Sequence, residues 1–146
     1  MTPTPNPTPD AATAARHVAD LVALMQLAPT GEDRYRGQSE NIGTPAVFGG
    51  QVLAQSLVAA SLTVPADRAV HSMHAYFLLP GQHAPIDYTV HRARDGRSFT
   101  TRHVIAKQEG REIFEMAASF QTRDEGIDHQ DAMPAAPDPL AQPSEL

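Results

Sequence analysis

No residue between Asn41 and Ala66 is charged, although 19% of the chain is Asp, Glu, Lys or Arg. A helix that meets water on one side shows charge there. From Phe48 to Thr63 the pattern predicts one helix, opened at Gly49-Gly50 and closed before Pro65, with apolar or small residues on nearly every side. Such a helix has to be wrapped, and the strand-like segments from Val70 to Gln121 are the available wrapper.

A membrane span is the competing reading of an uncharged run. Pro45, Gly49, Gly50 and Pro65 bracket it and Gln51, Gln55, Ser56 and Ser61 lie inside it, leaving fewer than the ~20 predominantly apolar residues that a span needs. The helix is therefore expected to be the axis of one soluble domain, for which 146 residues provide a modest core. A formal net charge of -6 argues against a nucleic-acid surface. The absence of cysteine excludes a disulfide scaffold, a thiolate nucleophile and a Cys-ligated metal. A cytoplasmic location is the default expectation.

The ends read differently from the middle. Residues 1–10 alternate proline with Thr, Asn and Asp and carry no signal-peptide pattern, so a disordered leader is expected. Ala11 to Leu27 reads as a helix with Val18, Leu21, Val22 and Met25 on one face, packing on the domain's edge. The domain itself is expected to span residues 11–130, followed by a Pro-rich linker or tail over 131–146.

After Pro65 the chain reads as strands: Val70 to Leu79, stopped by Pro80-Gly81; Ile86 to Arg94; Arg97 to Gln108; and Arg111 to Thr122. Asp95-Gly96 and Glu109-Gly110 suit tight hairpins. In the last strand Phe114, Met116, Ala118 and Phe120 point one way, and Glu115, Ser119 and Gln121 the other. The expected fold class is α+β, an antiparallel sheet wrapped around a central buried helix.

Five segments, in order and at fitting spacing, carry a family likeness: Arg36-Gly-Gln-Ser-Glu40, Val47-Phe-Gly-Gly-Gln51, Val70-His-Ser-Met-His-Ala-Tyr-Phe-Leu-Leu-Pro-Gly81, Arg94-Asp-Gly-Arg-Ser-Phe99 and Ala118-Ser-Phe-Gln121. Together they resemble the acyl-CoA thioesterase II (TesB-like) family. The resemblance implies a hotdog fold, acyl-CoA as substrate, hydrolysis to free fatty acid and CoA, and no cofactor. Members resemble two fused hotdog domains, and the Pro-rich end of this chain falls where their interdomain linker begins. The family's catalytic Asp, Thr and Gln belong to the second domain and map onto no residue here. The implied partner is thus a second hotdog unit, by fusion or as a homo-oligomer. The alternative is a truncated or split-gene half, without catalysis, that binds acyl-CoA or assembles with a catalytic partner. A hotdog dehydratase is disfavoured, since no motif carries its usual His and acid.

Thioester hydrolysis needs a placed water and donors for the developing oxyanion. The N-terminus of the central helix offers free N–H groups, and Gly49 and Gly50 permit close approach, so both are candidate substrate-binding residues; the alternative is that they only make the helix entry turn against crowded strands. Gln51 and Gln55 share one helix stripe and either bond strand backbone or line the thioester site or the interface with the second unit. Gln121, on the polar face of the last strand, resembles the family's second-domain glutamine by analogy between halves and is a candidate catalytic group. His71 falls where TesB-like thioesterases carry a histidine, which makes it the candidate base; a structural histidine is the other reading. His71 and His74 are expected on opposite strand faces, unable to share a metal. Arg92, Arg94, Arg97 and Arg102 either attract the CoA phosphates or guard a strand edge. Ser144-Glu-Leu146 differs from a peroxisomal Ser-Lys-Leu address by the charge of Glu145.

Overall fold

The computed structural model describes residues 10–138. All of the expected leader except Asp10 lies outside them, as does the tail from 139 onward with its last tripeptide. Helix α1 spans Ala11–Leu24, and the Asp10 carboxylate caps it by accepting from the Thr13 N–H at 2.8 Å. Two short strands follow, β1 (Ala28–Gly31) and β2 (Arg34–Gly37), then helix α2 (Gly49–Ser61). Four longer strands complete the fold: β3 (Arg68–Phe77), β4 (Ile86–Asp95), β5 (Phe99–Gln108) and β6 (Arg111–Thr122).

The six strands form one antiparallel sheet in the order β1-β2-β4-β5-β6-β3. Its inner face is set by strand alternation: Phe114, Met116, Ala118 and Phe120 on β6, Val104 and Ala106 on β5, and Ile86, Tyr88 and Val90 on β4 are all buried. Helix α2 lies on that face and buries Gln51, Val52, Gln55, Ser56, Ala59 and Ala60 against it. Wrapping is incomplete on the far side, where Gly50 and Ser61 are exposed and Leu53 and Leu57 only half-buried. Strand β3 closes the sheet with one neighbour, β6, and its other edge is open.

Two expectations change. The hairpin β1–β2 is absent from the sequence reading, because Pro29 and the charged Glu32, Asp33, Arg34 and Arg36 hide any strand period. Pairing with β4 and two bidentate contacts, Arg36 to Asp87 and Arg92 to Asp33, hold it in place. Helix α1 forms as expected but buries no residue, and Val18, Leu21 and Val22 on its apolar face remain more than half exposed.

Candidate functional site

The amino end of α2 has no side-chain cap: Phe48 occupies that position and offers no acceptor. The N–H groups of Gln51 and Val52 reach the Phe48 carbonyl, but those of Gly49 and Gly50 take no acceptor among the described residues. Two unpaired donors therefore meet the positive end of the helix dipole there. Neither glycine needs a left-handed backbone, so the alternative of an entry turn against crowded strands rests on the space around them. A Cβ on Gly49 would lie 2.8 Å from the Phe77 ring, and one on Gly50 would run into the ring of Phe48. Gly49 thus leaves room for a ring of strand β3 and Gly50 for the ring of Phe48, which fits an entry crowded by its surroundings as well as one open to a ligand.

Beside this helix end runs a groove of about 400 Å³, lined by Val47, Gly49, Val52, Phe77, Leu79 and Ile113 among others. The Val47 N–H donates to the Gly81 carbonyl at 2.9 Å, and the Leu78 N–H to the Ile113 carbonyl at 2.9 Å, so the loop after β3 forms a fixed wall. Gln108 pins that loop from below: its Nε2 donates to the carbonyls of Gln82 and Ala84 and its Oε1 accepts from the Gln82 N–H at 2.7 Å. Gly49 is the lining residue that brings an unpaired helix N–H to an otherwise largely apolar groove, an arrangement suited to a carbonyl oxygen attached to something apolar.

Gln51 and Gln55 make their bonds inside the chain. Gln51 Nε2 donates to the Gln38 carbonyl at 3.0 Å and its Oε1 accepts from the Glu40 N–H at 3.3 Å. Gln55 is fully buried; its Nε2 donates to the carbonyls of Leu24 at 2.7 Å and Gln38 at 2.9 Å, while its Oε1 accepts from the Tyr88 hydroxyl at 2.7 Å. Burial pushes the Tyr88 phenol up, so it remains a donor. The Gln55 amide lies so close to Gly37 that a Cβ there would sit 2.6 Å from Oε1. These amides tie the Gln38–Glu40 segment and the end of α1 to the central helix.

His71 and Gln121 lie elsewhere. A register shift between Val70 and Ser72 makes His71 the bulged residue of β3. Its Nε2 meets Ser119 Oγ at 2.8 Å and its ring packs edge-on against Phe99. Ser119, Phe99 and Gln121 belong to the outer face of the sheet, with Gln121 directly opposite Phe99. The bulge thus turns His71 onto the face that also holds His74, which pairs with Ala117; the simple strand period had put the two on opposite faces. From His71 to Phe77 the strand covers roughly 20 Å, six residues at ~3.3 Å each. One chain therefore does not bring His71 and Gln121 to the glycines at the α2 amino end.

The arginine cluster also divides. Arg102 is fully buried and donates to the Thr63 hydroxyl (2.8 Å) and carbonyl (3.0 Å), the Arg94 and Thr101 carbonyls, and Asp95 Oδ1 at 2.6 Å. It closes the carboxyl end of α2 and is withdrawn from any phosphate. Arg92 is engaged by Asp33, whose carboxyl its hydrogen bonds hold below the ordinary range, leaving Arg94 and Arg97 as the exposed pair. The signal for Arg102 was in the sequence: Thr100, Val104, Ala106 and Gln108 share its period-2 face, so the buried Val104 and Ala106 turn it inward. Ser119 carried no comparable signal, since only the bulge brings His71 to it.

Comparison with known proteins agrees with this architecture. Residues 36–121 match the family described as the acyl-CoA thioesterase N-terminal domain. The chain is 44% identical to acyl-CoA thioesterase 2 of Haemophilus influenzae over 79% of its own length and 41% of that protein's. It superimposes with a TM-score of 0.72 on the acyl-CoA thioesterase II TesB2 of Mycobacterium marinum, at 47% identity over 82% of this chain and 45% of that one. A protein from Alicyclobacillus acidocaldarius described as having a hot dog fold matches at TM-score 0.69 and 25% identity, covering 85% of this chain and 48% of its own. The chain spans about two-fifths of the length of the Haemophilus relative. Its sheet, its central helix and these matches together place it in the acyl-CoA thioesterase N-terminal domain family, with a hotdog fold.

Proposed function

We propose that this chain is the first hotdog unit of an acyl-CoA thioesterase, which hydrolyses acyl-CoA to free fatty acid and CoA in the cytoplasm once a second hotdog surface is present. The observation that carries the reading is the uncapped amino end of α2, where Gly49, with its unpaired N–H, lines an apolar groove and Gly50, also unpaired, stands next to it in the chain. A thioester carbonyl held there by Gly49 and Gly50 gains donors that strengthen as negative charge develops on oxygen during attack by water. Gln51 and Gln55 serve this substrate site by fixing the segment beside it. His71, hydrogen-bonded to Ser119, and Gln121 are the proposed catalytic groups of this unit's outer face, to act on water where the second unit brings a thioester to that face and not at this chain's own glycines.

The need for a second unit has its own support. Strand β3 leaves an open edge flanked by exposed Val70, Met73, Tyr76 and Phe77, a combination that soluble chains cover. Antiparallel pairing along that edge sets the start of one β3 beside the end of the next, which shortens the distance from a His71 to a neighbouring α2 amino end. No helix among the described residues is long and apolar enough to cross a membrane. A second reading, a half that binds acyl-CoA or a catalytic partner without turning over substrate, draws on the separation of His71 and Gln121 from the α2 groove.

Turnover of a medium-chain acyl-CoA by the purified chain, alone and mixed with a second hotdog unit of the same family, decides between them. The half-enzyme reading expects little hydrolysis alone and recovery in the mixture, with Gly50→Val lowering the recovered rate. Robust turnover by the chain alone that His71→Ala or Gln121→Ala abolishes would place catalysis here and end that reading. A Gly50→Val protein that assembles and keeps full activity removes this glycine from the site.

A further inference from the structure

Val90 and Val104 stand directly opposite each other on the two central strands β4 and β5, and both are buried. Strand alternation therefore turns the neighbouring pair, His91 and His103, onto the outer face of the sheet. Both histidines are exposed, and their ring centroids lie 6.2 Å apart with the planes inclined at 48°. We propose that this cross-strand pair chelates one borderline first-row dication, of the class of Cu2+ and Zn2+, at a site separate from the thioester chemistry above.

Imidazole nitrogens bind such ions at ~2.0–2.1 Å, which sets two rings on one ion with their centroids roughly 5 Å apart. Rotation of two exposed side chains closes the remaining distance, while the strands keep their Cβ atoms ~4.5–5.5 Å apart. The register runs unbroken from Asp87 opposite Lys107 to Arg92 opposite Arg102, so the backbone that carries the pair is fixed. Ala117, opposite His103 on β6, is small, and beside that ring lies a depression of about 220 Å³ lined also by His74, Tyr76 and Glu115. It has room for the waters that complete the coordination, and Glu115, diagonal to His103, brings negative charge to the same face. Arg34, across from Thr89 on β2, is a cation of that face. Arg92 does not oppose the ion: it stands opposite the inward Arg102, on the other face, and is engaged by Asp33. Among the described residues no group of three or more His, Asp or Glu side chains could hold an ion, so the site offers two imidazoles and solvent, a donor set that suits Cu2+ or Zn2+ and not the oxygen-seeking Ca2+ or Mg2+.

Calorimetric titration of the full chain with Cu2+, in a non-chelating buffer at about pH 7.5 where imidazole is mostly neutral, should show one site per chain that is tighter than all others. His91→Asn and His103→Asn should each weaken that site at least about tenfold, because a single imidazole loses the chelate. His74→Asn should leave it unchanged. Zn2+ added to the nitrogen-15-labelled wild-type chain should shift the ring resonances of His91 and His103 and leave those of His17, His83 and His129 in place. The Zn2+ spectrum is read on the wild type, so it decides the assignment should a variant fail to fold. Copper binding that survives either His91→Asn or His103→Asn overturns the chelate. A loss in His74→Asn as large as in His91→Asn moves the ion into the depression over Ala117 and overturns the assignment to the pair. Zn2+ shifts spread over all the histidines mean adventitious surface binding only, which also overturns it.

Discussion

Gln55 and Arg102 are taken fully out of water by a fold that could have used aliphatic residues there. Each donates to backbone carbonyls: Gln55 to Leu24 and to Gln38, which Gln51 also reaches, and Arg102 to Thr63 and Arg94. Their value lies in satisfying these carbonyls, because an unpaired buried acceptor costs ~1–3 kcal/mol. Arg102→Leu should therefore destabilise the chain by about 2–4 kcal/mol in urea unfolding. Asp95→Asn should cost less than about 1 kcal/mol, since water replaces a half-exposed carboxylate. Equal losses would mean that the ion pair, and not the capping of α2, explains the buried arginine. The sequence showed Gln51 and Gln55 as buried amides needing partners, yet could not show which: Gln38 and Leu24 meet them only through the loop and α1.

Elements whose own residues carry a period were legible. Helix α2 formed within two residues of its expected ends, and β6 over its expected range, because hydrophobic spacing and the flanking Gly and Pro residues act locally. The hairpin β1–β2 was not, since its stability comes from Asp87 and Arg92 more than fifty positions away. The bulge at His71 was equally hidden, for one extra residue against β6 leaves no mark on composition. Strand β3 is where the element scale makes a prediction. From Val70 to Phe77 the edge has no Asp, Glu, Lys, Arg or proline and no covering strand among the described residues, and it exposes Val70, Met73, Tyr76 and Phe77 between His71, Ser72 and His74. Met73→Asp places a charge in the middle of that edge and should shift the chain toward monomer in sedimentation velocity at micromolar concentration. Wild-type chain that already sediments as a well-folded monomer would show that the edge needs no partner.

At the scale of the whole molecule, one sheet covers one side of one helix, and both the helix's far side and the sheet's last edge await cover. A second copy of this chain and a fused or separate second hotdog both meet that need, but they differ in how activity responds to concentration. A homodimer forms by mass action, so specific activity per chain should rise with concentration through the dimer dissociation constant and then level off. A site that requires chemistry carried only by a different second unit stays silent at every concentration of this chain and responds in proportion to the added unit. We expect the second pattern, because the groups this chain offers on its outer face, His71, Ser119 and Gln121, are separated from the α2 amino end by the thickness of the sheet as well as by the length of β3. Symmetric edge pairing shortens the second distance while keeping outer face with outer face, so it leaves the first unchanged. Steady-state assays across a hundredfold range of chain concentration, roughly 0.1 to 10 µM to bracket a micromolar association, read the difference directly. A rise to a plateau without any added unit, lost in Met73→Asp, would show that two copies of this chain make a complete enzyme.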